Sequence, residues 1–395
     1  MKQASLAAVA SRPSVLIAAL AACVSLNFQI LLPVVPAIAE KAGPHGVGGA
    51  ATAGLSIGAV IGELLTPWLM SRITSRRLLV FGQLLTAASS LVYVIPALSA
   101  AVMIVAALGR GLGMGIVIVV AVATLSDLTA PDRRGTAIGR IGLALSLPGV
   151  FVPSAGVYLL SLGRLDLDAA IATASGLAGA LVALAIPNHT AHASEASAGL
   201  LAMARQPRLL FVLAGFVLAS SSFGGLFTFA PIVLPAKGIG SAAVFLLAAG
   251  ASRAVSRWLA GPLGDRRPIR QIVLAADALV LASLVLLALH VGGAALLTAG
   301  LVYGIGYGAI QTTAFLALTQ STSLRGAGAL SALWNSGTDL GSALGGGMLG
   351  LAAARYGYLN AVWVLPVSVL VSAVLLAAAL EPGRRVNDAP VAVVK

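Results

Sequence analysis

The sequence predicts an all-α integral membrane protein whose twelve transmembrane helices form two pseudo-symmetric six-helix bundles. Of its 395 residues, 59% are hydrophobic and only 9% are charged, and the mean hydropathy is +1.02. The exterior of a soluble protein needs far more charge than this. A basic cluster at 72–77 (RITSRR) follows one long apolar run, and a second cluster at 265–270 (DRRPIR) follows another. This recurrence indicates an internal duplication.

Twelve apolar stretches supply the predicted helices, because a transmembrane helix needs about 20 mostly apolar residues. In chain order, as spans one to six, they are 15–38, 49–70, 78–96, 101–126, 136–161 and 168–187. Spans seven to twelve are 208–234, 241–262, 271–290, 293–320, 327–352 and 361–380. The short segments between them leave no room for a soluble domain. We therefore predict an N-terminal bundle over 1–187, a cytoplasmic linker over 188–207 and a C-terminal bundle over 208–395.

The positive charge of the chain indicates membrane orientation. The formal net charge is +12, which in a soluble protein would suggest a nucleic-acid partner. Most of the 24 Lys and Arg residues, however, fall in the tails, the linker and the loops after even-numbered spans. The positive-inside rule then places both termini in the cytoplasm. We expect a multi-pass protein of the bacterial cytoplasmic (inner) membrane that contacts lipid and binds no nucleic acid.

The sequence contains no pattern typical of a cofactor, a metal or a catalytic centre. Cys23 is the single cysteine and lies in span one, and the four histidines are scattered, which argues against a disulfide framework and a thiolate metal site. HExxH and GxxxxGK[ST] motifs do not occur, and an intramembrane enzyme and a primary pump are not predicted. We expect a monomer that is not an enzyme and has no cofactor.

Glycines mark where the helices approach each other closely. The segment 111–115 of span four (GLGMG) corresponds to 304–308 of span ten (GIGYG). Span eleven offers a further run of glycines over 341–350. Small residues let membrane helices approach each other backbone to backbone, so these segments predict tight helix packing in both halves.

The duplicated basic cluster resembles a known family motif. The segment 261–270 (GPLGDRRPIR) is similar to the loop signature between spans eight and nine of the major facilitator superfamily, with Pro268 where a glycine is usual. The first-half copy keeps its arginines but departs from the signature at Pro67, Ser71 and Thr74. This resemblance covers essentially the whole chain and implies the major facilitator fold, in which two halves enclose a central site. The residues to which it assigns a gating motif are Gly261, Asp265, Arg266, Arg270, Arg72 and Arg76, together with Arg257.

Two further segments resemble family motifs. Arg110, followed by Gly113 and Gly115, is similar to the span-four signature with its membrane-embedded arginine. The segment 148–156 of span five (PGVFVPSAG) resembles the antiporter signature of the twelve-span drug:proton antiporters, although Val152 stands where a glycine is usual. The second resemblance implies efflux of a substrate in exchange for protons.

Three charged residues inside the spans are candidates for proton coupling: Asp339, Glu63 and Arg110. A charge at the centre of a membrane costs about 2.5–3.5 kcal/mol on insertion scales, so it tends to be paired or to face a wet cavity. Arg110 stays protonated, so it would hold a carboxylate or a substrate anion, or else satisfy backbone carbonyl groups. Asp339 and Glu63 would either carry the proton or form ion pairs. The expected pairs are Asp339 with Arg253 or Arg257, and Glu63 with Arg257 across the two halves.

Amide side chains in the spans are candidates for lining a substrate cavity: Asn27, Gln29, Gln311 and Asn335. Such groups hydrogen-bond polar substrates, but at the same spacing they also connect helices. Aromatic residues make up only 5% of the chain. A site built for large apolar drugs would be richer in them, so a polar metabolite is an open alternative.

These patterns predict a proton-coupled secondary active transporter that exports a small molecule, either drug-like or a metabolite, by alternating access. Its partners would be the substrate, protons and the lipid bilayer. The alternative is a proton-coupled uptake symporter for a small polar metabolite. The two directions share one fold, and the sign of proton coupling separates them.

Overall fold

The computed structural model describes residues 2–129, 142, 144–188, 207–289, 292–321 and 327–380. Within these ranges the regular structure is helical, without a strand. Twelve helical units of membrane-spanning length follow one another in the described ranges, and each coincides with one predicted span. The all-α prediction is therefore confirmed, and each unit keeps the number of its span.

The bounds of the helices lie within a few residues of the prediction at most ends. Spans one to six are Lys2–Leu31 continued by Val34–Ala42, Val47–Met70, Ser75–Leu91 continued by the 3-10 turn Val92–Val94, Ala100–Leu128, Pro148–Ser161 and Leu165–Ala185. Spans seven to twelve are Pro207–Val233, Ala242–Arg266, Ile269–Ala288, Ala294–Ser321, Ala327–Tyr356 and Tyr358–Ala361 continued by Val364–Ala379. Among the described residues, ten helices are both long and apolar enough to cross a membrane. The helices of spans eight and eleven have the length, but charged and polar residues make them less apolar.

Some predicted boundaries lie outside the described residues. Of the predicted linker 188–207, only the first and last residues are described. The division of the chain at this linker therefore stays a prediction. In span five, the predicted start at residue 136 also falls outside the described residues, and the described helical turn begins at Ala144.

The second basic loop is shorter than the sequence predicted. The helix of span eight continues through Asp265 and ends at Arg266, so that only Arg267 and Pro268 connect it to span nine. Pro268 has φ −57° and precedes the first helical residue, Ile269. Proline restricts φ to about −65° and has no N–H to leave unpaired, so it ends the connection abruptly and starts the next helix.

The glycine triplets of spans four and ten occupy equivalent positions in the two halves. In span four, Gly111 and Gly115 lie against the backbone of span two, and the middle glycine lies against span three. In span ten, Gly304 and Gly308 lie in the same way against span eight, and the middle glycine lies against span nine. At each of the four outer positions, a Cβ atom would overlap a carbonyl oxygen of the neighbouring helix. The duplication seen in the sequence is thus a duplicated packing arrangement.

The two halves touch backbone to backbone at one end of the bundle. We call the end that carries 71–74 and 267–268 the basic-loop end, and the end that carries 43–46 and 357 the opposite end. At the opposite end, spans two and eleven touch backbone to backbone: a Cβ on Gly46 would overlap the Gly350 oxygen, and one on Gly49 would overlap the Gly346 oxygen. The two halves are therefore closed against each other at the opposite end.

A hydrogen-bonded carboxylate strengthens this closure. Glu40, near the end of span one, accepts hydrogen bonds from the backbone N–H groups of Gly46 at 3.1 Å and Gly48 at 3.0 Å. Negative charge is favoured there, because these groups lie at the N-terminus of the span-two helix. The Tyr358 hydroxyl of the other half donates to the same carboxylate at 2.8 Å. Glu40 thus connects spans one, two and twelve.

We expect Gly346→Val to loosen the opposite end. The added side chain would meet the Thr52 Cβ at 2.7 Å and the Gly49 oxygen at 3.1 Å, and overpacking of this kind costs about 1–3 kcal/mol. Gly347→Val is the matched control, because a Cβ there would have only the Ala53 Cβ, at 3.9 Å, within 4 Å.

The measurement is maleimide labelling of a cysteine placed at buried Ser56 of span two, in a Cys23→Ser background that has no other thiol. Labelling should be severalfold faster with Gly346→Val and unchanged with Gly347→Val. Equal rates in the two variants would contradict a glycine-dependent closure.

Candidate functional site

A cavity of about 130 Å³ lies between the two halves, near the middle of the bundle. Spans one, four and five line it from the first half, and spans seven, eight, ten and eleven line it from the second half. The polar side chains in its wall are Ser25, Gln29, Ser146, Arg253, Arg257, Gln311, Asn335, Thr338 and Asp339. A central cavity shared by both halves is the position expected for a substrate in this architecture.

Three of the four predicted cavity residues line this wall: Gln29, Gln311 and Asn335. The side-chain oxygens of Gln29 and Gln311 are buried and accept no hydrogen bond from the part of the chain that the structure describes. Unpaired buried polar atoms are rare in proteins and call for a partner. These two amides are therefore well placed to bind a polar molecule in the cavity.

Asn27 is placed elsewhere, inside the N-terminal bundle. Its amide nitrogen donates to the Ser90 hydroxyl at 2.9 Å and to the Ala172 carbonyl at 2.7 Å. Its side-chain oxygen accepts from Nε of Arg110 at 3.4 Å. Asn27 thus connects span one to spans three, four and six. The helical rotation between residues 27 and 29 turns one amide into the bundle and the other towards the cavity.

Arg110 belongs to the same buried network and does not line the cavity. Only 1% of the residue is exposed, and its Nη2 donates to the backbone oxygens of Asn27 at 2.8 Å and Phe28 at 3.3 Å. Among the described residues, no carboxylate lies within ion-pair distance of Arg110. These contacts favour the structural alternative, in which the arginine satisfies carbonyl groups near the break in span one.

The structure brings two carboxylates from opposite halves together beside the cavity. Glu63 of span two is buried, and its Oε2 accepts a hydrogen bond from the hydroxyl of Ser336 in span eleven. Asp339, three residues further along span eleven, lines the cavity. It is close enough for its charge to act on Glu63. Sequence reasoning named both acids without pairing them and missed Ser336, although its i, i+3 spacing to Asp339 places it on the same helix face.

The predicted ion pairs of these acids do not form in this structure. Arg257 donates to the Ser146 hydroxyl at 3.2 Å, and Arg253 donates to the Gly149 oxygen at 3.3 Å. The Glu63–Arg257 pair, which was predicted to form in one open state and to break in the other, is absent from this conformation, because the two residues lie in different contacts between the halves. Glu63 lies where span two meets span eleven, and Arg257 lies where span eight meets span five.

Two arginines of the predicted gating motif make equivalent contacts within their own halves. Nε of Arg76, at the start of span three, donates to the Ile186 oxygen just after span six at 2.7 Å. Nε of Arg270, at the start of span nine, donates to the Ala377 oxygen near the end of span twelve at 3.2 Å. Positive side chains are favoured at the C-terminal end of a helix. Both arginines therefore stabilise the packing of the last helix of their bundle against the helix that carries the arginine.

The other motif residues make few contacts in the structure. Arg72 lies over the ring of Trp68, 4.2 Å from its centroid. Arg266 is exposed, and a Cβ on Gly261 would have open space around it. The side chain of Asp265 lies outside the described part of the chain. A gating role for these residues stays a prediction.

The family model described as Major Facilitator Superfamily matches residues 17–346. The chain belongs to the Major Facilitator Superfamily. As a member, it is a multi-pass membrane protein and a transporter of the secondary kind for small-molecule substrates, and not an enzyme. Comparison of the sequence with curated proteins finds no match.

Solved structures of the superfamily share the fold across nearly the whole chain. The nucleoside transporter NupG superimposes with a TM-score of 0.70 at 14% identity, over 93% of this chain and 100% of that one. A bacterial homologue of the human lysosomal transporter Spinster, inward-facing and unoccupied, gives 0.71 at 13% identity, over 94% and 96%. The human organic anion transporter MFSD10 gives 0.64 at 18% identity, over 93% and 99%. At these identities the likeness shows the fold alone.

We expect Asn27→Ala to destabilise this superfamily member far more than Gln29→Ala. Loss of the Asn27 amide removes its hydrogen bonds to the Ala172 oxygen and the Ser90 hydroxyl and one acceptor of Arg110, and each such bond contributes about 0.5–1.5 kcal/mol. The Gln29 oxygen has no hydrogen-bond partner to lose among the residues that the structure describes. Thermal unfolding in detergent measures the difference, and equal melting temperatures would contradict the structural role of Asn27.

Proposed function

We propose that the protein is a proton-coupled secondary transporter that moves a small molecule across the bacterial inner membrane by alternating access. Glu63 and Asp339 are the residues to which we assign the proton. The observation that carries this proposal is the meeting of two buried carboxylates, one from each half, at the wall of the central cavity.

The pair links protonation to the relative position of the halves. Two ionised carboxylates at short range repel each other, and protonation of either removes that repulsion. Because Glu63 belongs to span two and Asp339 to span eleven, the repulsion acts between the two halves. A proton would therefore stabilise their approach at this point, and its release would favour their separation. Arg110, which has no carboxylate within ion-pair distance, would support the bundle instead.

Alternating access would reopen the end that is closed here. Spans two and eleven touch through glycines at the opposite end, and the Ser154 hydroxyl of span five donates to the Ala243 oxygen of span eight at 2.6 Å. Rocking of one half against the other would break these contacts and strengthen those at the basic-loop end. We propose that both termini and the basic loops face the cytoplasm and that the protein works as a monomer.

Two directions of transport are each supported by one observation. Export in exchange for protons is supported by the segment 148–156, which resembles the antiporter signature and packs tightly: a Cβ on Gly156 would overlap the Ile30 oxygen. Uptake together with protons is supported by the charged and amide-lined cavity wall, which suits a small polar solute better than a large apolar drug.

We expect Asp339→Asn and Glu63→Gln to abolish transport against a concentration gradient when a pH gradient supplies the energy, since neither amide can take up a proton. Transport down a concentration gradient should continue. The assay uses proteoliposomes and a compound that raises the melting temperature of the protein. Asp277→Asn is the matched control, because Asp277 is a buried carboxyl of span nine that does not line the cavity. Uphill accumulation by Asp339→Asn would remove that residue from the proposal.

The direction of proton movement relative to the substrate is measured in the same vesicles, loaded with a pH-sensitive dye. The compound is added outside, without an imposed pH gradient. A symporter should acidify the vesicle interior, whereas an antiporter should make it more alkaline. An unchanged interior pH during transport would contradict proton coupling as such.

A further inference from the structure

Two arginines of span eight face the central cavity without a counter-charge. Arg253 and Arg257 are four residues apart and so lie on one face of their helix, and both line the cavity. A guanidinium has five N–H donors, yet to the described residues each arginine donates only one hydrogen bond, from Arg253 to the Gly149 oxygen and from Arg257 to the Ser146 hydroxyl. Among the described residues, no carboxylate forms an ion pair with either of them.

Aromatic rings hold both guanidinium groups in place. Arg253 lies 5.2 Å from the ring centroid of Phe223, and Arg257 lies 5.4 Å from that of Trp334. Both rings belong to the cavity wall. Stacking on a ring uses the face of the guanidinium and keeps its planar fork of N–H groups free for a ligand. The guanidinium groups of both arginines are thus held at the cavity wall, and most of their N–H groups have no hydrogen-bond acceptor among the described residues.

This arrangement is costly without a negatively charged ligand. Arg253 and Arg257 are close enough for their like charges to repel each other, and removing a charge from water costs several kcal/mol unless a partner compensates it. Asp339 is in the same cavity but makes no ion pair with them. An oxyanion bound by both forks would supply charge and acceptor oxygens together, which is the geometry that arginine recognises best.

The amide groups of the cavity wall indicate which other functional groups the ligand carries. The side-chain oxygens of Gln29 and Gln311 can only accept hydrogen bonds, and no described residue donates to them. Gln29 comes from span one and Gln311 from span ten, so the two amides face the cavity from opposite halves. A ligand that satisfied them would carry hydroxyl or amino groups beside its anionic group.

We propose that Arg253 and Arg257 bind the anionic group of the transported molecule, which assigns the cavity to small organic oxyanions that bear hydroxyl or amino groups. This inference rests on the proposed function, because it names the substrate class of the same cavity. It also predicts that the anion and the proton favour each other. Protonation of Glu63 or Asp339 makes the cavity more positive, and Tyr303 and Tyr307 of span ten, the other titratable groups near the arginines, are uncharged at neutral pH.

The binding test uses the fluorescence of Trp334, which stacks on Arg257. The purified protein is titrated with sulfate, glycerol 3-phosphate, malate and gluconate, and with glycerol and choline as a neutral and a cationic reference. Trp334→Phe identifies the signal among the four tryptophans of the chain. We expect a saturable change with at least one organic anion and none with glycerol or choline. Absence of saturation with every anion, or tighter binding of choline, would overturn the inference.

Variants of the arginines test whether these side chains carry the binding. Arg253→Gln and Arg257→Gln should weaken anion binding roughly 10- to 100-fold, the range expected for a hydrogen-bonded charge. Arg257→Lys keeps the charge but not the fork and should lie in between. Arg164→Gln, at the exposed pair with Asp166, is the control and should bind like the wild type. Unfolding curves verify that each variant is folded, and wild-type affinity in both glutamine variants would refute the assignment.

The proton assignment to Glu63 and Asp339 and the anionic substrate class can be refuted independently of each other. Anion affinity should rise as the pH falls, and Asp339→Asn should reduce this dependence. If the anions bind through the arginines but Asp339→Asn and Glu63→Gln keep uphill transport, the proton assignment fails and the substrate class stands. If those variants lose uphill transport while no anion binds, the substrate class fails and the proton assignment stands.

Discussion

A charged or polar side chain inside a bilayer has to find its partner within the protein, and this constraint organises the whole molecule. Arg110 satisfies it with backbone oxygens at the end of the first helix in span one, and Asn27 completes the arrangement through spans three and six. Glu63 pairs one of its two oxygens, through a hydrogen bond to the other half, and the second oxygen has no partner among the described residues. Arg253 and Arg257, which donate one hydrogen bond each to the described residues, lie in the wall of the central cavity. Unpaired carboxyl oxygens also occur away from the cavity, at Asp168 and Asp277, so it is incomplete pairing at the cavity wall that marks the site.

Glycine supplies the second constraint, since helices in a membrane gain little from burying apolar surface against each other and depend on close packing. The triplets of spans four and ten hold each half together in the same way. The glycines of span eleven serve two surfaces: Gly341 and Gly345 lie against span seven, whereas Gly346 and Gly350 lie against span two. One helix thus packs within its own half and closes the contact between the halves.

The duplication preserves packing but not charge. Arg76 and Arg270 make equivalent contacts at the ends of their bundles, so the scaffold is symmetric. The carboxylates, however, gather where span two meets span eleven, and the cavity arginines lie where span eight meets span five. In the mechanism we propose, the symmetric scaffold would allow the halves to rock, and the asymmetric charge distribution would separate the place for a proton from the place for an anion.

The sequence by itself determined the number and order of the spans, the duplication, the glycine faces and the identity of the buried charges. These features depend on local composition and on helical spacing, which a single segment expresses without its neighbours. Only the tertiary structure decided the partners: that Asn27 faces the bundle while Gln29 faces the cavity, that Glu63 meets Ser336 and Asp339, and that Arg257 bonds Ser146. Successive side chains point about 100° apart around a helix. Which of them faces the cavity therefore depends on how the helix is rotated against its neighbours, and packing over the whole bundle sets that rotation. The apolar run that predicts a span does not contain that information.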